Sequence, residues 1–297
     1  MRLAVTGKNG QVVSALLALA SAELEIVALG RPELDLAQPE TVLKALREVK
    51  PDAVVSAAAY TAVDKAESEQ DVAFAVNRDG AMAVAQAARD LGIPLIHLST
   101  DYVFDGNKDT AYVESDPTGP TSVYGRSKLE GERAVSEATD NYVVLRTAWV
   151  YSEYGNNFVK TMLRLSENRD EINVVADQFG CPTSANDIAA AVVTIARKLV
   201  EDASAPLRGV FHLSGTGETN WANFAKQIFA FSAKNGGKSI VVNDITTAQY
   251  PTPARRPANS RLDCSKLEEV YGIKLPSWQT STRAVVTALA QSKKETP

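Results

Sequence analysis

The 297-residue chain is 45% hydrophobic and 23% charged, an ordinary globular composition with enough apolar residues for one large domain or two coupled ones. Its net charge of −5 gives no general attraction for nucleic acid or an anionic membrane, so a phosphate-bearing ligand must be held by local basic groups or backbone N–H groups. No apolar run approaches bilayer length and the opening residues are unlike a signal peptide, so neither a membrane nor a nucleic-acid partner is expected.

Only Cys181 and Cys264 occur, which points to reduced thiols in a cytoplasmic protein. His97 and His212 are the only histidines and have no metal-like spacing, so no metal site is expected.

In chain order, Arg2–Thr6, Glu25–Leu29, Asp52–Ala57, Pro94–Ser99 and Tyr142–Thr147 predict strands. Between them, Gln11–Ala20, Pro39–Val49, Val72–Leu91 and Tyr124–Ala138 predict helices. This alternation is that of an α/β chain with a Rossmann-like, doubly wound parallel sheet. Beyond residue 150 the rhythm loosens into a helix at Asn156–Asn168, a strand at Ile172–Val175 and a helix at Ser184–Val200. Gly209–Leu213 reads as a buried strand returning to the same sheet. From Trp221 come a helix, a short strand near Ile240–Asn243 and a Pro/Arg-rich loop over Tyr250–Arg261. The pattern divides the chain into a dinucleotide-binding domain (1–150 and 184–217) and a smaller α/β substrate lobe (151–183 and 218–297). That lobe would cover the carboxyl edge of the sheet, where such folds bind ligands.

The first strand runs into Gly7-Lys8-Asn9-Gly10-Gln11-Val12-Val13, a turn whose glycines let backbone approach a pyrophosphate at a helix N-terminus. Val13 stands where a third glycine would allow close helix–strand packing. It should push the helix slightly away and weaken or alter cofactor affinity. The second strand ends in Ala28-Leu29-Gly30-Arg31, with no acidic residue to meet an adenosine ribose. Arg31 suits a 2′-phosphate, which favours NADPH and leaves NADH open, and Asp35 and Leu36 are placed to contact the adenine.

Tyr124 and Lys128, four residues apart, share one helix face, and Thr100 lies at the sheet's carboxyl edge. A phenol beside an ammonium can exchange a proton with a carbonyl oxygen, and a hydroxyl can orient that oxygen. Lys128 would bind the nicotinamide ribose and keep the phenol acidic.

Gly7-x-x-Gly10, Ser99-Thr100-Asp101-Tyr102-Val103-Phe104 and Tyr124-x-x-x-Lys128 resemble the extended short-chain dehydrogenase/reductase family. Further matching segments are Ala57 to Glu67, Arg146 to Tyr151, Asn156-Asn157-Phe158, Asp177 to Thr183 and Pro253 to Ser260, so the resemblance covers nearly the whole chain. It implies NADPH-dependent reduction of the C4 keto group of dTDP-4-dehydro-6-deoxy-L-mannose to dTDP-L-rhamnose, the last step of making that sugar nucleotide. In those terms Tyr124 protonates the developing alkoxide, Thr100 orients the carbonyl, and Lys128 tunes Tyr124 and holds ribose. Ala57, Ala58 and Ala59 line the dinucleotide, with Asn9, Gln11 and Val12 of the glycine turn. Asp101, Tyr102 and Trp149 face the deoxysugar, Arg256 and Asn259 hold the diphosphate, and Asn157, Gln178 and Thr183 are further substrate-side residues.

Some members of the family form a metal-bridged dimer through acidic residues. Ala15 and Asn186 occupy those places here, which counts against a metal-bridged homodimer, while neighbouring Asp187 keeps one acidic group close by. A sugar-nucleotide dehydratase or epimerase that recycles a tightly held NAD is an alternative on this scaffold, and dehydratases follow the Thr with an Asp-Glu pair to eliminate water. Tyr102 in place of the second carboxylate counts against that reaction. A non-catalytic dinucleotide-binding subunit is the remaining alternative, disfavoured by the intact Thr100, Tyr124 and Lys128.

Overall fold

A computed structural model describes residues 1–295; Thr296 and Pro297, the end of the expected substrate lobe, lie outside the described residues. The strands are β1 (Arg2–Thr6), β2 (Glu25–Leu29), β3 (Ala53–Ser56), β4 (Leu95–Thr100), β5 (Tyr142–Thr147), β6 (Val150–Tyr151) and β7 (Glu171–Val175). They continue with β8 (Phe179–Gly180), β9 (Thr183–Ser184), β10 (Gly209–His212), β11 (Thr219–Asn220), β12 (Val241–Ile245) and β13 (Asn259–Ser260). Helices α1 (Gln11–Leu17), α2 (Glu40–Val49), α3 (Val63–Ala66), α4 (Gln70–Phe74), α5 (Gly80–Leu91) and α6 (Val123–Ala138) occupy the first half. The second half carries α7 (Phe158–Asn168), α8 (Ala185–Glu201), α9 (Trp221–Lys234), α10 (Ser265–Tyr271) and α11 (Trp278–Glu295).

Leu3, Ala4 and Val5 of β1 and Val143, Val144 and Leu145 of β5 are wholly buried, as both covered faces of a parallel sheet require. On one face α1 and α8 set Val13, Leu16, Ile188 and Val192 against Leu3, Val5 and Ile96. On the other, Val42, Leu46, Val84 and Val135 from α2, α5 and α6 meet Ala4, Val54 and Leu95. The parallel strands run in the order β10-β5-β4-β3-β1-β2, confirming the doubly wound sheet and the return of β10 beside β5. The chain leaves β1 for β2 on one side, then crosses back to β3 on the other. A crevice opens at that reversal, at the carboxyl ends of β1 and β3.

Local signals explain the helix ends. The Ser122 hydroxyl accepts from Gly125 N at 3.1 Å, and Glu67 Oε1 accepts from Val123 N at 2.8 Å, so α6 starts one residue before Tyr124. Asn157, Ser184 and Asn220 cap α7, α8 and α9 in the same way. The expected helix Val72–Leu91 is interrupted. Residues Ala75–Asp79 form a π-helical turn between α4 and α5, a widening that periodicity alone does not reveal. A further apolar cluster joins Tyr151, Phe224, Ile228, Phe229 and Trp278, with the parallel pair β7 and β12 alongside α9.

Candidate active site

Gly7 leaves β1 at φ +101°, a left-handed conformation that a side chain would strain. The Thr6 hydroxyl accepts from Ala57 N and Ala58 N, each at 3.0 Å, and so ties the end of β3 to that of β1. A Cβ on Gly7 would touch the Ala58 Cβ and Val13 Cγ2 at 3.4 Å, so small residues keep the crevice open at its base. No side chain caps α1, and the N–H groups of its first turn stay available to an anion. This lining fits a dinucleotide. Val13 is buried in the core beneath the turn, filling the space that a glycine would leave.

Gln11 acts as a clamp. Its Nε2 donates to Val150 O at 3.3 Å, while its Oε1 accepts from Ser152 Oγ at 2.8 Å and Asn157 Nδ2 at 2.9 Å. At the end of β2, Arg31 pairs with Asp35 through Nε at 2.8 Å, its side chain 73% exposed. Asp35 is therefore taken up by Arg31 and by Ala37 N. Leu36 corrects an expectation: it is buried in the core against Gly80 and presents no face to an adenine.

Thr100 ends β4, and α6 lays Tyr124 beside it. The Thr100 hydroxyl donates to Asp101 Oδ1 at 2.9 Å and accepts from Tyr102 N at 3.2 Å, and it is close enough to the Tyr124 phenol to influence its proton. The Tyr102 and Tyr124 rings meet edge to face at 5.5 Å. Their approach requires Gly125, because a Cβ there would fall 2.2 Å from Tyr102 O. Burial raises the Tyr124 phenol above its usual range; the Thr100 hydrogen bond opposes the rise, while Asp101 and Tyr102 add to it. Lys128 lies one turn further along α6, and the expectation that it keeps this phenol acidic gains no support from the direction of the shift. Its ammonium donates to Leu98 O at 2.7 Å and meets His97 Nε2 at 3.4 Å. Burial brings Lys128 down to about 8, opposed by Glu132. Asp101 is pushed up to about 6 by burial, against hydrogen bonds from Ser260 and Thr100, and its Oδ2 has no partner.

Beneath this group lies a polar layer that sequence reasoning missed. Glu132 accepts from Ser99 Oγ at 2.5 Å and from Arg146 through Nε at 3.0 Å and Nη2 at 2.7 Å, both ion-pair side chains only 6% exposed. The signal was present, since 124, 128 and 132 repeat at four-residue spacing on one face of α6. Asn77, in the π turn, accepts from Tyr60 N at 2.8 Å and donates to Tyr60 O at 3.1 Å and Ser127 Oγ at 2.9 Å. No spacing announced it.

On the lobe side, a cavity of about 490 Å³ is lined by Asn107, Asp177, Thr247, Tyr250, Arg255 and Arg256, among others. Arg256 is held by Asp64 Oδ2 at 2.6 Å and donates to the Tyr102 hydroxyl at 3.3 Å. Trp149 adopts φ +50°, rare for a bulky residue, and stacks on Trp221 at 3.6 Å between ring centres. Gln178 is buried and donates to Thr247 Oγ1 at 3.0 Å.

Three expected substrate residues are instead committed within the protein. Asn259 donates to Lys108 O and Thr110 O, both at 2.7 Å, and accepts twice from Arg261, so its amide is spent on fixing the loop. Thr183 is fully buried, donating to Cys181 O and accepting from Gly215 N. Asn157 caps α7 and donates to Gln11, Ser152 and Tyr154. Polar residues at caps and in short strands look like ligand contacts in a sequence because the groups that they satisfy are invisible there.

Ala15 is buried and Asn186 donates to Glu153 at 3.0 Å. Among the described residues no group of three His, Cys, Asp or Glu side chains is placed to hold a metal ion.

The family model described as the RmlD substrate binding domain matches residues 1–291. A dTDP-4-dehydrorhamnose reductase of Sinorhizobium fredii is 62% identical over 295 residues, covering 99% of this chain and all of that protein. The crystal structure of a dTDP-4-dehydrorhamnose reductase from Clostridium acetobutylicum superposes with a TM-score of 0.90 at 36% identity, covering 97% of this chain and 99% of that one. The same enzyme from Bacillus anthracis, crystallised in complex with NADP, gives 0.88 at 36% identity, covering 96% and 98%.

Proposed function

The chain belongs to the family of the RmlD substrate binding domain, and from that premise we propose how its residues reduce a sugar nucleotide. The reaction is the NADPH-dependent reduction of the C4 keto group of dTDP-4-dehydro-6-deoxy-L-mannose to dTDP-L-rhamnose. NADPH, when bound, supplies the hydride. Gly7, Asn9, Gly10, Gln11 and Val12 would lie against its pyrophosphate, Ala57 to Ala59 along its length, and Arg31 near the 2′-phosphate once it turns from Asp35. Residues 1–150 and 184–217 would form the cofactor domain, and 151–183 and 218–297 the lobe that holds the sugar nucleotide.

The observation that carries this reading is the meeting of Thr100 and Tyr124 at the end of β4, with Lys128 one turn along α6. Thr100 would hold the C4 oxygen by a hydrogen bond. As the carbon gains hydride, negative charge develops on that oxygen, and Tyr124 gives it the phenolic proton. A phenol raised by burial is fully protonated at neutral pH, which is the state a reductase needs, and the more basic alkoxide still takes the proton. Lys128, charged below about pH 8, offers an ammonium to the ribose. Tyr102 and Trp149 would face the deoxysugar, with Asp101 and Gln178 at its polar edge. Arg256, already half-buried in the loop, would exchange Asp64 for the diphosphate. The net charge, and the lack of any helix among the described residues able to cross a membrane, fit a cytoplasmic enzyme without nucleic-acid or membrane partners. Any homodimer would be built without a metal bridge.

The test is a steady-state assay of nicotinamide oxidation with the dTDP-4-keto sugar, comparing NADPH with NADH and thymidine with uridine. Substrate-dependent oxidation that favours NADPH is expected. No oxidation at saturating protein would overturn the reading.

A further inference from the structure

His97 is wholly buried in the middle of β4, on the sheet face that α6 covers, and the chemistry described so far gives it no task. Its Nε2 lies 3.4 Å from Lys128 Nζ. An ammonium has three donors and no acceptor, so this contact can be a hydrogen bond only if Nε2 carries the lone pair and Nδ1 the proton. The imidazole is therefore neutral. Nδ1 has no hydrogen-bond partner, an arrangement that costs stability and that packing alone does not explain. The other charged groups facing this spot are Glu132 of α6, bound to Ser99 and Arg146, and Arg146 of β5. Neither accepts from Lys128. Leu98 O does, at 2.7 Å.

We propose that His97 is a positioning residue: its neutral imidazole and the Leu98 carbonyl take two of the three N–H groups of Lys128, leaving one for the cofactor ribose. Holding the ammonium from beneath at two points fixes where that last N–H points. It also stabilises the charge in a site that otherwise disfavours it. Burial and the neighbouring ammonium hold His97 well below its ordinary range, in keeping with the neutral ring that the contact requires. This inference rests on the reductase reading for its consequence, though the contact itself does not.

The experiment compares His97→Gln, whose amide oxygen reaches the place of Nε2, with His97→Asn, which is polar but too short. Both keep a polar group in the layer, so a difference between them reports reach and not folding. Two readouts are taken on the full chain: the titration of the Lys128 side chain by NMR in the free protein, and the pH profile of NADPH-driven turnover. His97→Asn should lower the Lys128 midpoint by about one pH unit and reduce turnover at pH 8 about tenfold, with the NADPH KM rising. His97→Gln should stay within about twofold of the wild type. Equal Lys128 midpoints in all three proteins would overturn the proposal. Shifted midpoints with no turnover in any of them would uphold the contact and overturn the reductase reading instead.

Discussion

Glu132→Gln is the substitution whose consequences can be worked furthest. The change keeps shape and volume and removes one charge. Arg146, 6% exposed, then loses its only carboxylate, while its Nη1 already has no partner and its guanidinium lies over Phe104 at 5.0 Å. Removing one member of a buried ion pair costs about 3–5 kcal/mol, because the remaining charge stays buried without compensation. A second effect reaches the active site, since Glu132 is the group that opposes the fall of Lys128. Without that carboxylate the Lys128 proton is lost below pH 8, and the alkaline limb of the turnover profile moves to lower pH. Urea unfolding measures the first effect and the pH profile of kcat/KM the second. Replacing both partners, Glu132→Leu with Arg146→Met, should recover most of the lost stability. A loss of under about 1 kcal/mol in the single variant would mean that solvent reaches this pair and that the polar layer is not dry.

Gly125→Ala should destabilise by about 1–3 kcal/mol through overpacking against Tyr102 O, and should raise the sugar-nucleotide KM because Tyr102 moves; thermal melts and kinetics check it. Arg256→Ala should raise that KM about tenfold or more while leaving NADPH affinity, measured by fluorescence titration, unchanged. Stability should fall as pH drops below 6.5. His212 is held neutral down to about 3 by burial and Arg146, and His97 also lies far below its ordinary range. The unfolded chain binds those protons first, so this stability is present above pH 6.5 and is lost on acidification. Asp101, raised to about 6, works in the opposite sense between pH 6 and 4, where the folded state holds the extra proton. Two histidines outweigh one carboxyl, and unfolding midpoints across pH 4–8 should show a net decline toward acid.

The sheet was legible in the sequence because its strands are short, β-branched and separated by amphipathic helices, a pattern imposed by burial on both faces. Strand β10 was legible for the same reason, despite coming after the rhythm broke. The π turn was not, since one extra residue per turn hardly disturbs apolar spacing. At the site, the juxtaposition of Thr100 and Tyr124 could be read because one ends a strand at the sheet's carboxyl edge and the other lies in the first turn of a helix that packs on that strand. The tuning of Tyr124 could not, because helix spacing places Lys128 nearby without showing that Leu98 O and His97 take its ammonium. Asn157, Thr183 and Asn259 show the converse: polar residues at a helix cap and in two-residue strands, whose side chains are hydrogen-bonded within the protein. Only backbone coordinates reveal that.

Whether Tyr124 delivers the proton is decided by the turnover of Tyr124→Phe. The substitution deletes one hydroxyl and leaves Lys128, Thr100 and the crevice in place. In that variant kcat should fall about a hundredfold or more, with NADPH affinity and the unfolding midpoint close to wild type. Near-normal turnover by the folded variant would contradict it and move the proton donor elsewhere, with Asp101 the next group to examine.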